Sequence, residues 1–531
     1  MAELCSRCSK FESEDTSITC VALDGGSCSV CQERTTIRGQ IKQLEKELAK
    51  LKAKYDALTT TMNSIHDPFI HKLPPEIGSR IFHLSLPTFD DGKRLEEILK
   101  PWGNGSSAKI LRLGAVCRMW RQLAWATPNL WNTLYLFIGS QTRHSLAESL
   151  PDLVRDWLER SGSLPLTISF QHHPRSNDHV SYEDEDSFEA ALGLVIEILT
   201  LHSRRWRILN LATTADMFRR FSSSILPNQL IGLGLQLIKS YSHQPPYFMI
   251  ESEFTPTHLM LGAFPLTSVN VRWDKISHLT LRTINDLECV DVLRRALNLE
   301  YYNISIYQLW EVTSTFSTPV VHAQLRSITL TGDVEDFLEA IALPSLEEWS
   351  QSIEDEYLPV AAMVSLFKRS GCHLKVLDLA HFPDDSEALN GLLQAMPSLE
   401  HIELTFDWRV TSTSTIMDDV LARIFHPAPD SSNISVEEPT HQSFLPCLQY
   451  IRCKATQLVD PFSWERIPQL YRGHRRSLVV NTVVKKADIS DETAFQLLQL
   501  ADEGLDLQIF DASMGGYFLD IFRKRTLEQI V

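Results

Sequence analysis

The sequence predicts an α plus α/β fold class, with one long N-terminal helix, a small all-α unit and a C-terminal repeat solenoid built on a parallel sheet. Three observations predict it: a heptad pattern from Ile37 to Ile65, short apolar helix stripes between Leu73 and Trp131, and a recurring Leu-x-x-Leu-x-Leu pattern after them. The predicted domains are a cysteine-bearing tail over 1–33, a heptad coiled-coil helix over 34–66, a helical unit over 67–135 with an insertion at 87–109, a repeat solenoid over 160–512 and a C-terminal tail over 513–531.

The composition is that of an ordinary globular protein. The 531 residues are 44% hydrophobic and 22% charged, which allows several domains with a large core. The formal net charge of -17 argues against a general binder of nucleic-acid phosphates. Because the sequence shows neither a basic and apolar leader nor an apolar run of membrane-spanning length, we expect a protein of the cytoplasm or nucleus that binds no nucleic acid and no membrane.

Half of the ten cysteines lie near the start of the sequence, a distribution that favours metal binding over disulfides in a reducing compartment. Two CxxC pairs lie about 19 residues apart, which fits four thiolates around one zinc ion. The candidate ligands are Cys5, Cys8, Cys28 and Cys31. A structural zinc site and a disordered cysteine-bearing tail both stay open. A RING-type site is excluded, because it needs about eight Cys or His ligands and no histidine precedes His66.

A heptad seam covers the next segment. Its apolar positions are Ile37, Ile41, Leu44, Leu48, Leu51, Tyr55, Leu58, Met62 and Ile65. Lysine and glutamate fill many flanking positions, as on a solvated helix whose a and d residues meet another helix. Two interpretations stay open: a parallel homodimer through 37–65, or one long helix folded back on its own chain.

Three short helices are predicted between Leu73 and Trp131. Two prolines suit the first turn of the first helix, after which Ile77, Ile81 and Leu84 fall on one face. A serine at 106 or 107 can cap the second helix, and a Thr-Pro pair starts a short third turn. The stripe of the second helix is Leu113, Val116, Cys117, Trp120 and Ala124. On periodicity alone these are three core helices of an ordinary domain.

The order of these residues resembles the F-box. The matching segments are Leu73-Pro74-Pro75-Glu76-Ile77, Ile81-Phe82, Val116-Cys117 with Trp120-Arg121, and Pro128 with Leu130-Trp131. The resemblance implies a motif that docks a substrate receptor on the Skp adaptor of a cullin-type ubiquitin ligase. The adaptor-binding residues that it implies are Leu73, Pro74, Ile77, Ile81, Phe82, Leu113, Val116, Cys117, Trp120, Leu130 and Trp131. One departure is the insertion after Leu86, where the family has only a short turn.

The second half of the chain alternates strands with helical stripes. The middle residues of the strand pattern lie about 24 residues apart, or near double that where a unit is degenerate, a period typical of leucine-rich repeats. Leu346-Glu347-Glu348-Trp349 fills one double gap, and Val269-Asn270-Val271 is a candidate for another. Near the end, a helix capped by Ser490 and stopped by Gly504 precedes a closing strand over 505–510.

In such a repeat the leucines are buried between stacked units, and the alternate residues line the concave side of a parallel sheet. Mixed polar and aromatic side chains on that side suit the recognition of a protein. The candidate target-binding residues are His278, Arg282, Tyr301, Asn303, Asp378, His401, Glu403, Tyr450 and Arg452. The plainer interpretation of any one of them is a solvated sheet residue, because few interface residues carry most of the binding energy.

No catalytic constellation is recognisable, since the P-loop, HExxH, GxSxG and GxGxxG motifs are absent. We therefore expect a non-catalytic substrate receptor that needs no cofactor, apart from the zinc considered above. Its expected partners are the Skp adaptor with its cullin complex and an unknown protein target. Two alternatives are a coiled-coil and repeat scaffold without ubiquitin chemistry, and a zinc-dependent nucleic-acid regulator, which the net charge opposes.

Overall fold

The computed structural model describes residues 28–66, 73–86, 106–139, 142–174, 182–221, 229–238, 248, 255–284, 286–306, 318–352, 358–382, 386–406, 416–425, 444–455, 463–468, 479–484, 489–504 and 506–530. The chain divides into two compact units, residues 1–87 with 108–130, called here the helical unit, and residues 88–107 with 131–531, called the sheet unit. Among the described residues, no helix combines the length and the apolar character that crossing a bilayer requires.

The helical unit begins with one long helix, α1 (Ser29–His66). Its 38 residues contain no proline, and its centre is rich in leucine, alanine, lysine and glutamate, which all favour helix. The heptad residues lie within it, and these nine apolar side chains are 48–71% exposed. Among the described residues, no other part of the chain covers the seam.

Three short helices follow in the same unit. They are α2 (Pro75–Leu84), α3 (Ser106–Val116) and α4 (Arg118–Trp125), with a 3-10 turn at Pro128–Leu130. The expectation of one continuous helix through Cys117 is wrong, because Cys117 adopts an extended backbone with φ -154° and ψ 174°. Its Sγ accepts a hydrogen bond from the Trp120 N–H at 3.4 Å and so caps α4. The Arg121 Nε donates to the Gly114 carbonyl at 2.8 Å, which satisfies an acceptor near the end of α3.

Two contacts bring α2 and α4 close together. A Cβ at Gly78 would lie 2.7 Å from Cδ2 of Leu123, so the glycine allows a close approach of the two helices. The Thr127 hydroxyl, just after α4, donates to the Leu123 carbonyl at 2.7 Å. It accepts a hydrogen bond from the Ser79 hydroxyl of α2 at 2.8 Å. The unit is thus held by a small polar link as well as by its apolar core.

The sheet unit is built on a sheet with fifteen strands among the described residues. The strands of the unit are β1 (Thr133–Ile138), β2 (Leu166–His172), β3 (Trp206–Thr213), β4 (Gly232–Leu237), β5 (His258–Gly262), β6 (His278–Ile284), β7 (Tyr301–Ile306), β8 (Val320–Val321), β9 (Ser327–Gly332), β10 (Ile341–Ala342), β11 (Glu348–Ser352), β12 (Val376–Phe382), β13 (His401–Phe406), β14 (Tyr450–Ala455), β15 (Val479–Val484), β16 (Leu507–Asp511) and β17 (Gly516–Tyr517). Strands β8 and β10 form a separate two-stranded sheet. In the large sheet the strands follow chain order, and each is parallel to the next except the antiparallel pair β16 and β17.

Helices connect many of these strands, as parallel neighbours require a crossover. They are α5 (His144–Arg160), α6 (Tyr182–Leu201), α7 (Ala215–Arg220), α8 (Asp286–Arg295), α9 (Glu335–Glu339), α10 (Val360–Ser370), α11 (Ser386–Gln394), α12 (Ile416–Phe425), α13 (Asp491–Asp502) and α14 (Phe518–Ile530). The fold class is therefore α plus α/β in outline, with a long N-terminal helix, a small helical unit and a large, mostly parallel sheet.

The leucines of the strand pattern form the core of the sheet unit. Leu209, Leu233, Leu259 and Leu279 are partners across adjacent strands, and each is at most 2% exposed. The residues between them point to the opposite face, because side chains alternate along a strand. A register slip of one residue would move the leucines of one strand to the opposite face and break their rows with the neighbouring strands, so the leucine pattern fixes the register.

Two segments proposed as missing units have different outcomes. Leu346-Glu347-Glu348-Trp349 leads into β11, as expected. Val269 forms only an isolated bridge with Phe248, and the strand between β4 and β6 is β5 instead. All five residues of β5 are buried. Its two leucines are register partners of leucines in β4 and β6 and so extend the leucine rows.

The two ends of the sheet lie beyond the predicted repeat region. The sheet begins at β1, before residue 160, and the segment 513–531 predicted as a tail forms β17 and α14. Phe522 of α14 packs edge-on against Phe495 of α13, with ring centroids 5.4 Å apart. The predicted cap of α13 is present, since the Ser490 side chain accepts a hydrogen bond from the Thr493 N–H at 3.3 Å. The last helix thus gains apolar contacts that a solvated tail would lack.

His172, at the end of β2, makes the stability of the sheet unit depend on pH. Its ring is buried, with Nδ1 3.4 Å from the Thr213 hydroxyl. Burial, aided by the charge of His173, lowers the pKa of His172 to about 4. The unfolded chain then binds more protons than the folded one between about pH 6.5 and pH 4, so stability falls as the pH falls through that window.

Between pH 7 and pH 5, protonation of His172 in the unfolded chain is expected to lower the unfolding free energy of wild type by about 2 kcal/mol. The variant His172→Gln should show almost none of this decrease. Urea unfolding followed by circular dichroism at both pH values measures the difference. His173→Gln, at an exposed position, is the matched control and should keep most of the pH dependence. Equal pH dependence in wild type and His172→Gln would contradict this assignment.

Candidate protein-docking site

The helical unit exposes many large apolar side chains over a closed core. The exposed residues, each 37–62% exposed, are Ile77, Ile81, Leu84, Leu111, Val116, Met119 and Trp125. Beneath them, Phe82, Ile110, Ala124 and Leu130 are almost fully buried. Several exposed large apolar side chains on one small unit are typical of a protein-interaction surface.

Helix α2 shows how one short element serves both the core and the surface. Pro75 is its first residue, where a missing N–H costs nothing and a fixed φ suits the helix. Ile77, Ile81 and Leu84 then recur at i, i+4 and i+7 on the solvent side. Phe82 points the other way, with its ring centroid 4.8 Å from that of Trp120 at an angle of 45°. The core contact therefore orients the helix so that its isoleucines face outward.

The structure divides the implied adaptor-binding residues by exposure. Exposed are Pro74, Ile77, Ile81 and Val116; half-buried are Leu73, Leu113, Cys117 and Trp120; buried are Phe82, Leu130 and Trp131. The three buried residues are at most 2% exposed and so belong to the core. Trp131 belongs to the sheet unit, where its ring packs edge-on against Trp157 at 4.7 Å and beneath the Arg160 guanidinium at 5.0 Å.

Four exposed apolar residues were not among the implied adaptor-binding residues. They are Leu84, Leu111, Met119 and Trp125. The last three lie off the main apolar stripe, at positions where a helix with only one packed face would carry polar residues. Apolar residues outside the main stripe of a short helix are therefore the sequence feature from which these exposed positions could have been predicted.

On the sheet, three rings form a stack that we call the ring stack: His258, His278 and Tyr301. They are register partners on β5, β6 and β7. Their ring centroids lie 4.2 Å and 4.3 Å apart, at angles of 16° and 18°. Arg282 is exposed further along β6, and Asn303 is half-buried on β7. The stack places three aromatic rings beside hydrogen-bonding side chains.

A second group, which we call the charged cluster, contains Asp378, Glu403, Arg452 and Lys454. Glu403 lies 2.5 Å from the Lys454 ammonium and 3.5 Å from the Arg452 guanidinium, and its side chain is 18% exposed. Asp378, the register partner of Glu403, accepts a hydrogen bond from the Ser350 hydroxyl at 3.1 Å. Burial, and then the charge of Glu403, raise the pKa of Asp378. The cluster thus combines two carboxylates and two cationic side chains on the adjacent strands β12, β13 and β14.

A further ring pair borders the charged cluster. His401 stacks on Tyr450, with centroids 4.2 Å apart at 22°. Burial lowers the pKa of His401, although the nearby carboxylates of Glu403 and Asp378 act in the opposite direction. The ring pair therefore lies next to the charged side chains.

The predicted target-binding residues fall into two groups along the sheet. His278, Arg282, Tyr301 and Asn303 lie on β6 and β7, and Asp378, His401, Glu403, Tyr450 and Arg452 lie on β12 to β14. Strands β9 and β11 separate the groups, so β7 and β12 are about 14 Å apart. Lys454, two residues after Arg452 on β14, belongs to the second group. His258 belongs to the first group and was missing from the prediction, although it is the register partner of His278.

The zinc prediction is only partly within the described residues. Cys28 immediately precedes α1 and Cys31 lies in its first turn, while Cys5 and Cys8 lie outside the described residues. Within the ranges that the structure describes, no three His, Cys, Asp or Glu residues are grouped so that they could hold a metal ion. The four-thiolate site stays a prediction.

Residues 70–137 match the family model described as F-box-like. This range contains α2, α3, α4 and all but the last residue of β1, and it includes every exposed apolar residue of the surface described above. No curated protein matches the chain.

Proposed function

We propose that this chain, which contains an F-box-like domain at residues 70–137, is the substrate receptor of a Skp–cullin–F-box ubiquitin ligase. F-box domains are protein-interaction modules, and a bound Skp adaptor would connect this one to the cullin. The observation that carries the proposal is the exposed apolar surface of α2 to α4 within the matched residues. Its aliphatic and aromatic side chains would be buried by an adaptor helix surface.

In this proposal the sheet unit is a leucine-rich-repeat-like solenoid that binds the target. Its strands follow chain order, and their inward leucines recur with the spacing of such repeats. The face that carries the ring stack and the charged cluster would contact the target protein. Flat aromatic rings together with charges of both signs suit a partner with apolar and mixed-charge side chains.

The chain would supply no catalytic group in this role. Holding a target beside a ubiquitin-loaded conjugating enzyme raises the effective concentration of the two reactants. This proximity is enough to direct ubiquitin transfer. The half-buried ion pairs of the charged cluster then serve recognition and orientation of the target.

Titration of the full-length chain with a purified Skp adaptor tests the proposal. We expect saturable one-to-one binding by wild type, and loss of binding for the Leu73→Ala/Pro74→Ala variant, which changes the entry to α2. Isothermal titration calorimetry gives both the affinity and the stoichiometry. A correctly folded wild-type chain that fails to bind the adaptor would refute the proposal and would favour the scaffold alternative.

A further inference from the structure

Helix α1 presents an apolar seam that the described residues of its own chain leave uncovered. Nine residues at alternating steps of four and three, from Ile37 to Ile65, are each 48–71% exposed. The 38 residues of the helix correspond to a rod of about 57 Å. A solvated helix with a continuous apolar stripe gains stability when a second helix buries that stripe.

We infer that two copies of this chain pair through α1 as a parallel, in-register coiled coil. In that pairing each seam residue meets its own counterpart, so all nine apolar layers are closed. Leucine fills the three central d positions, Leu44, Leu51 and Leu58, a choice compatible with two-stranded coiled coils. The inference is independent of adaptor binding and holds whether or not the chain is a ligase subunit.

The charges beside the seam fit a second copy of the same helix. In a parallel pair, each g residue lies near the e residue five positions later in the other helix. Glu33 then faces Arg38 of the second copy, and Glu47 faces Lys52 of the second copy. None of the other g–e pairs between Glu33 and His66 brings two like charges together. The same helix is therefore a complementary partner for itself.

The antiparallel alternative fits less well. The alignment with the best charges pairs Glu47 with Lys54 and Glu45 with Lys52, but it places Ile65 opposite Arg34. The last apolar layer would then meet a guanidinium. In the parallel pair Ile65 of both chains closes this layer, and Arg34 meets its counterpart one layer before Ile37, outside the nine apolar layers. Because only the parallel pair covers all nine seam residues of each chain, we prefer the parallel orientation.

Analytical ultracentrifugation of the full-length chain over a dilution series tests the pairing. Wild type should sediment with twice the mass of one chain. Leu44→Asp/Leu51→Asp should weaken the dimer by at least about 100-fold, because each copy then places two carboxylates in the seam. Ala49→Asp/Ala53→Asp adds the same two charges off the seam and should remain dimeric. A monomeric wild type, or equal weakening by both variants, would overturn the inference.

Charge reversal at Glu47 and Lys52 tests the orientation. Glu47→Lys alone and Lys52→Glu alone should each weaken the dimer by about two- to ten-fold at low salt, because each turns two attractive pairs into repulsive ones. The double variant Glu47→Lys/Lys52→Glu should recover affinity in the parallel dimer. In the antiparallel pairing it would create repulsion at both Glu45 and Lys54. A double variant weaker than either single variant would overturn the parallel orientation.

Discussion

Replacing Ile77 and Ile81 by aspartate is expected to abolish binding to the Skp adaptor while leaving the helical unit folded. Both side chains are on the solvent side of α2, at 47% and 37% exposure, so the free chain loses little when they become charged. In a complex they would be buried, and each would otherwise contribute about 2 kcal/mol. The affinity should therefore fall by at least about 100-fold.

The matched control is Leu146→Asp/Leu153→Asp on α5 in the sheet unit. These leucines are also exposed on one helix, at 48% and 53%, and the double change adds the same two charges. We expect wild-type affinity for the adaptor from this variant in the same calorimetric titration. If Ile77→Asp/Ile81→Asp, with an unchanged circular dichroism spectrum, still bound like wild type, α2 would not be the docking helix.

A second comparison separates docking from folding. Phe82→Asp should also lose adaptor binding, but for a different reason, because Phe82 is buried and packs on Trp120. A carboxylate there would be desolvated without a partner, which destabilises the unit. Phe82→Asp is therefore expected to lower the unfolding midpoint, whereas the α2 surface variant is not.

The sequence predicted most of the sheet because its strand pattern is tied to burial. Leucines that must face the core at every second position leave a repeating signature, and β3, β4, β6, β7, β9 and β12 to β14 lie where that signature was found. Strand β1 was missed because Trp131, which leads its pattern with Leu134 and Leu136, had been assigned to the helical unit. Strand β2 was missed because Pro165 stands at the leading apolar position of its pattern. The prediction of a repeat strand at Val269 was wrong, because two valines around one asparagine have the alternation of a strand but Val269 forms only an isolated bridge. The strand in this gap is β5, which forms hydrogen bonds with both neighbouring strands.

The candidate site could be predicted only as a set of residues, without their roles. Ile77 and Phe82 are both apolar and lie five positions apart on α2, yet one faces solvent and the other fills the core. Helical periodicity gives the angle between them but does not say which face meets the rest of the unit. The helix break at Cys117 was equally hidden, because a thiol that caps a helix has no distinctive sequence pattern.

Trp349→Ala is expected to cost the sheet unit about 3–5 kcal/mol of unfolding free energy. Trp349 lies on β11, between β9 and β12, with no exposed surface, and its ring packs edge-on against Phe367 of α10 at 5.4 Å. Its indole N–H donates to Oε1 of the buried Gln351 at 3.3 Å. The substitution removes a large volume between strand and helix and also leaves this amide oxygen without its donor.

Urea unfolding followed by far-ultraviolet circular dichroism measures the loss, and Glu348→Ala is the control. Glu348 is the preceding residue of β11 on the opposite face of the sheet, half-buried, so its truncation should change stability by about 0.5 kcal/mol or less. Because the helical unit, which carries the exposed apolar side chains, has its own core, Trp349→Ala should keep wild-type affinity for the adaptor in the absence of urea. A change below about 1 kcal/mol would mean that the cavity collapses around Phe367. A loss of about 3–5 kcal/mol of unfolding free energy together with unchanged adaptor affinity would show that the helical unit and the sheet unit are stabilised separately.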